Sequence, residues 1–206
     1  MHQINVFSEA VRLFAAADPF EMAAKAGAVY KESEKVIHLK YLGYDVTIEY
    51  PSGKMRWAYR ETPVINDQVL ILQYLQQSCG VLPRGKWVSF MQLPDGPHHH
   101  APFVAEAIKP LADTFGRGGH NLDMFRAVTA KFSAQSIDMA DCGAVIPVFS
   151  KLPLAVCIWT GDDEFEANAN ILFDSTAPLH LTTAALWVMG AEVSRKLRHT
   201  NGQQYI

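Results

Sequence analysis

From Val36 to Arg60 apolar and polar residues alternate with a period of two. Ile37, Leu39 and Tyr41 alternate with His38 and Lys40; Tyr44, Val46, Ile48 and Tyr50 alternate with Asp45, Thr47 and Glu49; Met55, Trp57 and Tyr59 alternate with Lys54, Arg56 and Arg60. Side chains point to opposite faces along a strand, so this pattern predicts strands with one buried and one wet face. Turn residues at Gly43 and Pro51-Ser52-Gly53 join them into a three-stranded antiparallel meander. Ahead of it the period is helical. Phe7, Val11 and Phe14 share one face, and Asp18-Pro19-Phe20-Glu21 supplies an N-cap, a first-turn proline and a carboxylate three residues on.

Beyond the meander, Val69, Leu72, Leu75 and Cys79 predict a helix capped by Asn66 and ended by Gly80. Trp87 to Leu93 reads as a strand. Val104, Ile108, Leu111 and Phe115 mark a helix that Pro110 should kink, and Leu122, Phe125, Val128 and Phe132 mark the next. Val145–Phe149 and Leu154–Trp159 are near-continuous apolar runs, the pattern of strands covered on both faces, and Ile171–Phe173 is a further strand. Thr182 or Thr183 caps a last helix with Leu186, Met189, Val193 and Leu197 inward, and Arg195, Lys196, Arg198 and His199 gather at its negative end. The order predicts α+β: a single domain over residues 1–206 with a largely antiparallel β-sheet, the N-terminal meander plus C-terminal buried strands, packed with about five to six helices.

Composition narrows the function classes. Of the 206 residues 49% are hydrophobic and 19% charged, and the formal net charge is -3, so no basic surface points to nucleic acid or to an anionic membrane. The first nine residues lack the basic-then-apolar order of a signal peptide, and no apolar run reaches membrane-spanning length, so the expected location is cytoplasmic. Three widely spaced cysteines, Cys79, Cys142 and Cys157, suit a reducing compartment and are too few for an iron-sulfur cluster held by this chain alone. Cys142, between Asp141 and Gly143, is the one expected at the surface.

Three of the eight histidines follow one another in Leu93-Pro94-Asp95-Gly96-Pro97-His98-His99-His100. Pro94-Asp95-Gly96 has the residue order of a tight turn. An extended run after it would put His98 and His100 on one side, close to the positive end of the following helix, where neutral imidazole is favoured. His120 and His180, each at a predicted helix start, complete the candidate ligand set for a metal ion or a metallo-tetrapyrrole. The same residues would serve equally as general bases, and a solvated histidine-rich turn fits too. His38 falls on the wet face of its strand. Asp162, Asp163, Glu164 and Glu166 crowd one strand end without the spacing of a calcium loop, and Asp174 has the setting of a turn former.

Two segments resemble a known family. Ile158-Trp159-Thr160-Gly161-Asp162-Asp163-Glu164-Phe165-Glu166-Ala167-Asn168-Ala169-Asn170-Ile171-Leu172-Phe173-Asp174 is similar to the C-terminal signature of the bacterial and archaeal family called domain of unknown function 3786. Val88 to Gly96, Pro102-Phe103, Ile108 to Ala112 and Phe115-Gly116 are similar to its central part. The resemblance implies a protein of anaerobic metabolism, in a family some of whose relatives carry a cysteine-rich iron-sulfur segment of the corrinoid-protein type. This chain has no such segment, and where relatives read Leu-Pro-Gly-Gly it has Leu93-Pro94-Asp95-Gly96. The preferred reading is an accessory protein that binds a metal or metallo-cofactor, including a corrinoid, through His98, His100, His120 and His180. The alternatives are a small enzyme with a histidine base at that turn, and an interaction module that docks a redox or corrinoid-linked protein through exposed aromatic and acidic residues.

Overall fold

The computed structural model describes residues 6–59 and 63–200. Two helices open it, α1 (Val6–Ala16) and α2 (Pro19–Ala26), the second capped by Asp18, whose carboxylate accepts the Glu21 N–H at 2.8 Å. The meander follows as predicted: β2 (Val36–Tyr41), β3 (Tyr44–Glu49) and β4 (Met55–Trp57) pair antiparallel, with Ile37, Ile48 and Met55 in one row on the buried face and Leu39, Val46 and Trp57 in the next. A further strand, β1 (Val29–Lys31), pairs with β2 at the edge. Its three residues are largely exposed, so no apolar pattern announces it; the free edge of β2 selects it.

Helix α3 (Ile65–Gln77) starts at Val64 without a side-chain cap, so Asn66 is not its N-cap. β5 (Trp87–Ser89) is shorter than the predicted strand, since Phe90–Gln92 turn into a short 3-10 helix. The extended run expected after Gly96 is helical instead. Helix α4 (Gly96–Phe103) begins at Gly96 and takes in all three histidines, because Pro97 fits a first helical turn, where its missing N–H is not needed. A π turn (Val104–Ile108) joins α4 to α5 (Lys109–Phe115). Pro110 therefore enters a first turn again, and the added residue of the π turn replaces the predicted kink.

Helix α6 (Gly119–Ala130) leads to β6 (Gln135–Ile137), β7 (Cys142–Phe149), β8 (Leu152–Trp159) and β9 (Asn168–Asp174). These form a second antiparallel sheet of order β5-β9-β8-β7-β6, with the buried run of β8 at its centre. Helix α7 (Thr183–His199), capped by Thr182, packs across it; Gly190 lets the Phe103 ring lie within about a side-chain radius of its backbone, since a Cβ there would stand 2.7 Å from that ring. The fold is α+β, as predicted, with two sheets rather than one. They meet where Leu42 N–H donates to Val148 O and where the Tyr41 ring lies 5.1 Å from that of Phe149, so the described residues share one continuous core.

Candidate functional site

The four candidate ligand histidines lie in different settings. A helix advances about 100° per residue, so His98 and His100 on α4 diverge by about 200° instead of sharing a side. His98 is exposed, His99 stacks on Trp187 of α7 at 5.9 Å, and His100 is half-buried with its Nδ1 closed off and without a hydrogen-bond partner among the described residues. His120 is exposed in the first turn of α6. His180 is fully buried, with Nδ1 2.9 Å from Ser78 Oγ, and burial holds its pKa below the ordinary value. Among the described residues, no group of three or more His, Cys, Asp or Glu side chains is placed to hold a metal ion.

The cysteines exchange their expected environments. Cys79 is exposed just past the end of α3, whereas Cys142 opens β7 and is buried like Cys157 on β8. Burial raises the pKa of both strand thiols, so neither is an activated nucleophile.

Sequence reasoning missed the densest ionic cluster. Lys196 Nζ on α7 donates to Asp67 Oδ1 on α3 at 2.7 Å and to Glu192 Oε2 at 2.9 Å, and Tyr41 OH from β2 donates to the same Asp67 oxygen at 2.6 Å. Arg195 and Asn66 also donate to Glu192. Burial raises the Glu192 carboxyl, but Lys196, Arg195 and Asn66 outweigh it and bring the pKa down to about 2. Burial, then the adjacent Asp67, push Tyr41 well above its usual range. A signal for this cluster was present: Asp67, Leu70, Ile71, Tyr74, Leu75 and Ser78, all buried, follow helical spacing, so Asp67 lies in the apolar stripe of α3. With Lys196 and Asp67 side chains only 5% and 1% exposed, the cluster ties α3, α7 and the first sheet together, and it is closed to a substrate.

The opposite situation holds where β8 gives way to β9. The loop from Gly161 to Ala167 and the turn after α5 enclose an open cleft of about 480 Å³, lined by Lys109, Asp113, Arg117, Asp162, Phe165 and Glu166 among others. Gly161 N–H donates to Gly116 O at 3.0 Å, and Asp162 Oδ1 accepts from the N–H groups of Glu164 and Phe165, which lowers its pKa and fixes the loop. Gly116 has no room for a side chain: a Cβ would stand 2.5 Å from Ala167 Cβ and 2.8 Å from Ala112 O. Gly116→Ala is expected to destabilise the fold by about 1–3 kcal/mol and to loosen this loop, read by denaturant titration and amide exchange over residues 160–168. On the braced loop stands Phe165, 69% exposed, with Trp159 at 39% close by in the chain and Asp162, Asp163, Glu164 and Glu166 all at the surface. Asp174, at the end of β9, is fully buried. It accepts from the N–H groups of Arg84, Gly85 and Thr176 and from Thr176 Oγ1, which makes it a turn clamp and no acid catalyst.

The segments that build this cleft, Lys109 to Gly116 and Gly161 to Ala167, are the ones whose residue order resembles a family. That family's pattern matches residues 18–196. The chain belongs to the family of the domain of unknown function DUF3786. No curated protein and no solved structure matches it. The family carries no assigned reaction in its description, so function has to follow from the geometry of this member. No helix among the described residues is long and apolar enough to cross a membrane.

Proposed function

We propose that this member of the DUF3786 family is a protein-interaction module whose docking surface is the β8–β9 loop. The observation that carries the reading is the exposure of Phe165 on a loop that is itself fixed from below. A mobile loop would lose an aromatic side chain to solvent at little cost, but here Asp162 and Gly116 hold the backbone so that the ring stays presented. Aromatic anchors with a neighbouring cleft are the residues that carry binding energy at interfaces. Four exposed carboxylates in the same loop select a partner with a basic surface and an apolar pocket. A redox or corrinoid-linked protein, the partner class the family resemblance implies, is the first to try. The metallo-cofactor reading has less support, because the helical course of residues 96–103 separates His98 from His100 and removes its geometric premise.

The test has two stages. Partners retained by the wild-type protein but not by Phe165→Ala are identified, and each is then purified and titrated directly. The expected result is a dissociation constant about tenfold or more weaker for Phe165→Ala, with binding that also falls as salt rises. A partner that binds wild type and Phe165→Ala equally well places the interface elsewhere.

A further inference from the structure

The wet face of the first sheet is not flat. Its residues form two rows across three strands: His38, Thr47 and Arg56 stand in register, and beside them Val36 pairs with Glu49, with Lys54 next on β4's approach. All six point the same way, because their positions differ by two along each strand. Thr47, Glu49, Lys54, Arg56, Val36 and Gln68 of α3 take part in lining a cleft of about 720 Å³, large enough for a small metabolite.

The polar groups facing this cleft have spare capacity. Among the described residues Lys54 and Arg56 form no ion pair, unlike Lys40, which pairs with Asp45 at 3.0 Å on the same sheet. Gln68 commits its amide nitrogen to Pro63 O at 2.8 Å, which leaves its side-chain oxygen available. His38 was expected to be solvated on this face; among the described residues its Nε2 is shut off from solvent without a hydrogen-bond partner, and the ring is not one of the groups that line the cleft. Thr47 and Arg56 are cross-strand neighbours, which stand within about 5 Å of one another, so the hydroxyl and the guanidinium belong to the same end of the cleft.

We infer that this face binds a small hydroxylated organic anion. The guanidinium fork of Arg56 and the ammonium of Lys54 take the carboxylate or phosphate group. The Thr47 hydroxyl, beside Arg56 in register, bonds the same end of the ligand. Glu49 and the Gln68 side-chain oxygen accept from ligand hydroxyls, which disfavours a bare inorganic anion. This site is separate from the β8–β9 loop and does not depend on the docking role proposed for it.

The test is a nuclear magnetic resonance titration of the full chain with ribose 5-phosphate, with gluconate and with inorganic phosphate. The expected result is saturable shifts at the amides of Thr47, Glu49 and Arg56 and at the Gln68 side-chain amide, caused by one or both organic probes and far weaker with inorganic phosphate. Whichever probe binds identifies the charged group as phosphate or carboxylate. Arg56→Gln should weaken that binding about tenfold or more, while Lys40→Gln leaves it unchanged. Both side chains are exposed, so the fold should survive, and Lys54→Gln serves as a second variant if Arg56→Gln does not fold. Absence of saturation with both organic probes overturns the inference, as does saturation that Arg56→Gln and Lys54→Gln leave undiminished.

Discussion

Replacing Lys196 by methionine is expected to destabilise the protein by about 3–5 kcal/mol, because it leaves Asp67 and Glu192 buried without the cation they share. Methionine keeps the length of the stem, so packing is nearly preserved and the loss reports the charge. The asymmetry of buried ion pairs gives the decisive comparison. Lys196→Met alone should cost more than Lys196→Met combined with Asp67→Asn, since the second change removes a carboxylate that the first one stranded. Equilibrium urea unfolding measures both. A cost below about 1 kcal/mol for the single change, with no recovery in the double, would show that water reaches the cluster and that it does not fasten α3 to α7.

Truncating Asp174 should be the next most damaging change, at about 2–4 kcal/mol, because Asp174→Ala leaves the buried N–H of Thr176 and those of Arg84 and Gly85 without their acceptor. Asn at this position is expected to rescue in part, since its oxygen can keep the bonds from Arg84 and Thr176 while its amide nitrogen would face the Gly85 N–H. The same carboxylate links stability to pH. Burial raises its pKa, but the bonds from Thr176, Arg84 and Gly85 outweigh that and hold it below the ordinary value. For a group whose folded pKa is depressed, stability is complete above the unfolded pKa and is lost as pH falls through the folded one. Glu192 obeys the same sign, with its pKa brought from 4.5 to about 2. Together they predict full stability above about pH 5 and a steep loss toward pH 2, of which Glu192 accounts for about 3 kcal/mol. Chemical denaturation at stepped pH checks this, and Glu192→Gln should flatten the acid limb. An acid limb that keeps its slope in both Asp174→Asn and Glu192→Gln would assign the loss to other carboxylates.

Local pattern sufficed where one periodicity had one solution. The alternation of Val36 to Trp57 fixed three strands and their wet face, because a shift of one residue would expose every apolar side chain at once. Likewise the apolar run Leu154 to Trp159 could only be an inner strand, and one of two threonines, Thr182 or Thr183, had to cap the last helix; the structure selects Thr182. Pattern failed where proline and glycine admit two conformations. Pro94-Asp95-Gly96-Pro97 suits a turn into an extended run as well as a turn into a helix, and packing of α4 on α7, with His99 on Trp187, favours the helix. The candidate metal site depended on that choice, since side chains two apart share a face in a strand and diverge in a helix.

The sequence by itself determined the α+β class, the core strands and helices, the absence of a nucleic-acid-binding charge pattern, and the segments that identify the family. Only the tertiary structure decided which charged residues are buried together and which aromatic residues stay outside. Asp67 and Lys196 are 129 positions apart, and Gly116 and Ala167 are 51 apart. No local periodicity encodes such meetings: they follow from how α7 crosses the sheets and how two loops close on one another, and those are settled by the packing of the whole core.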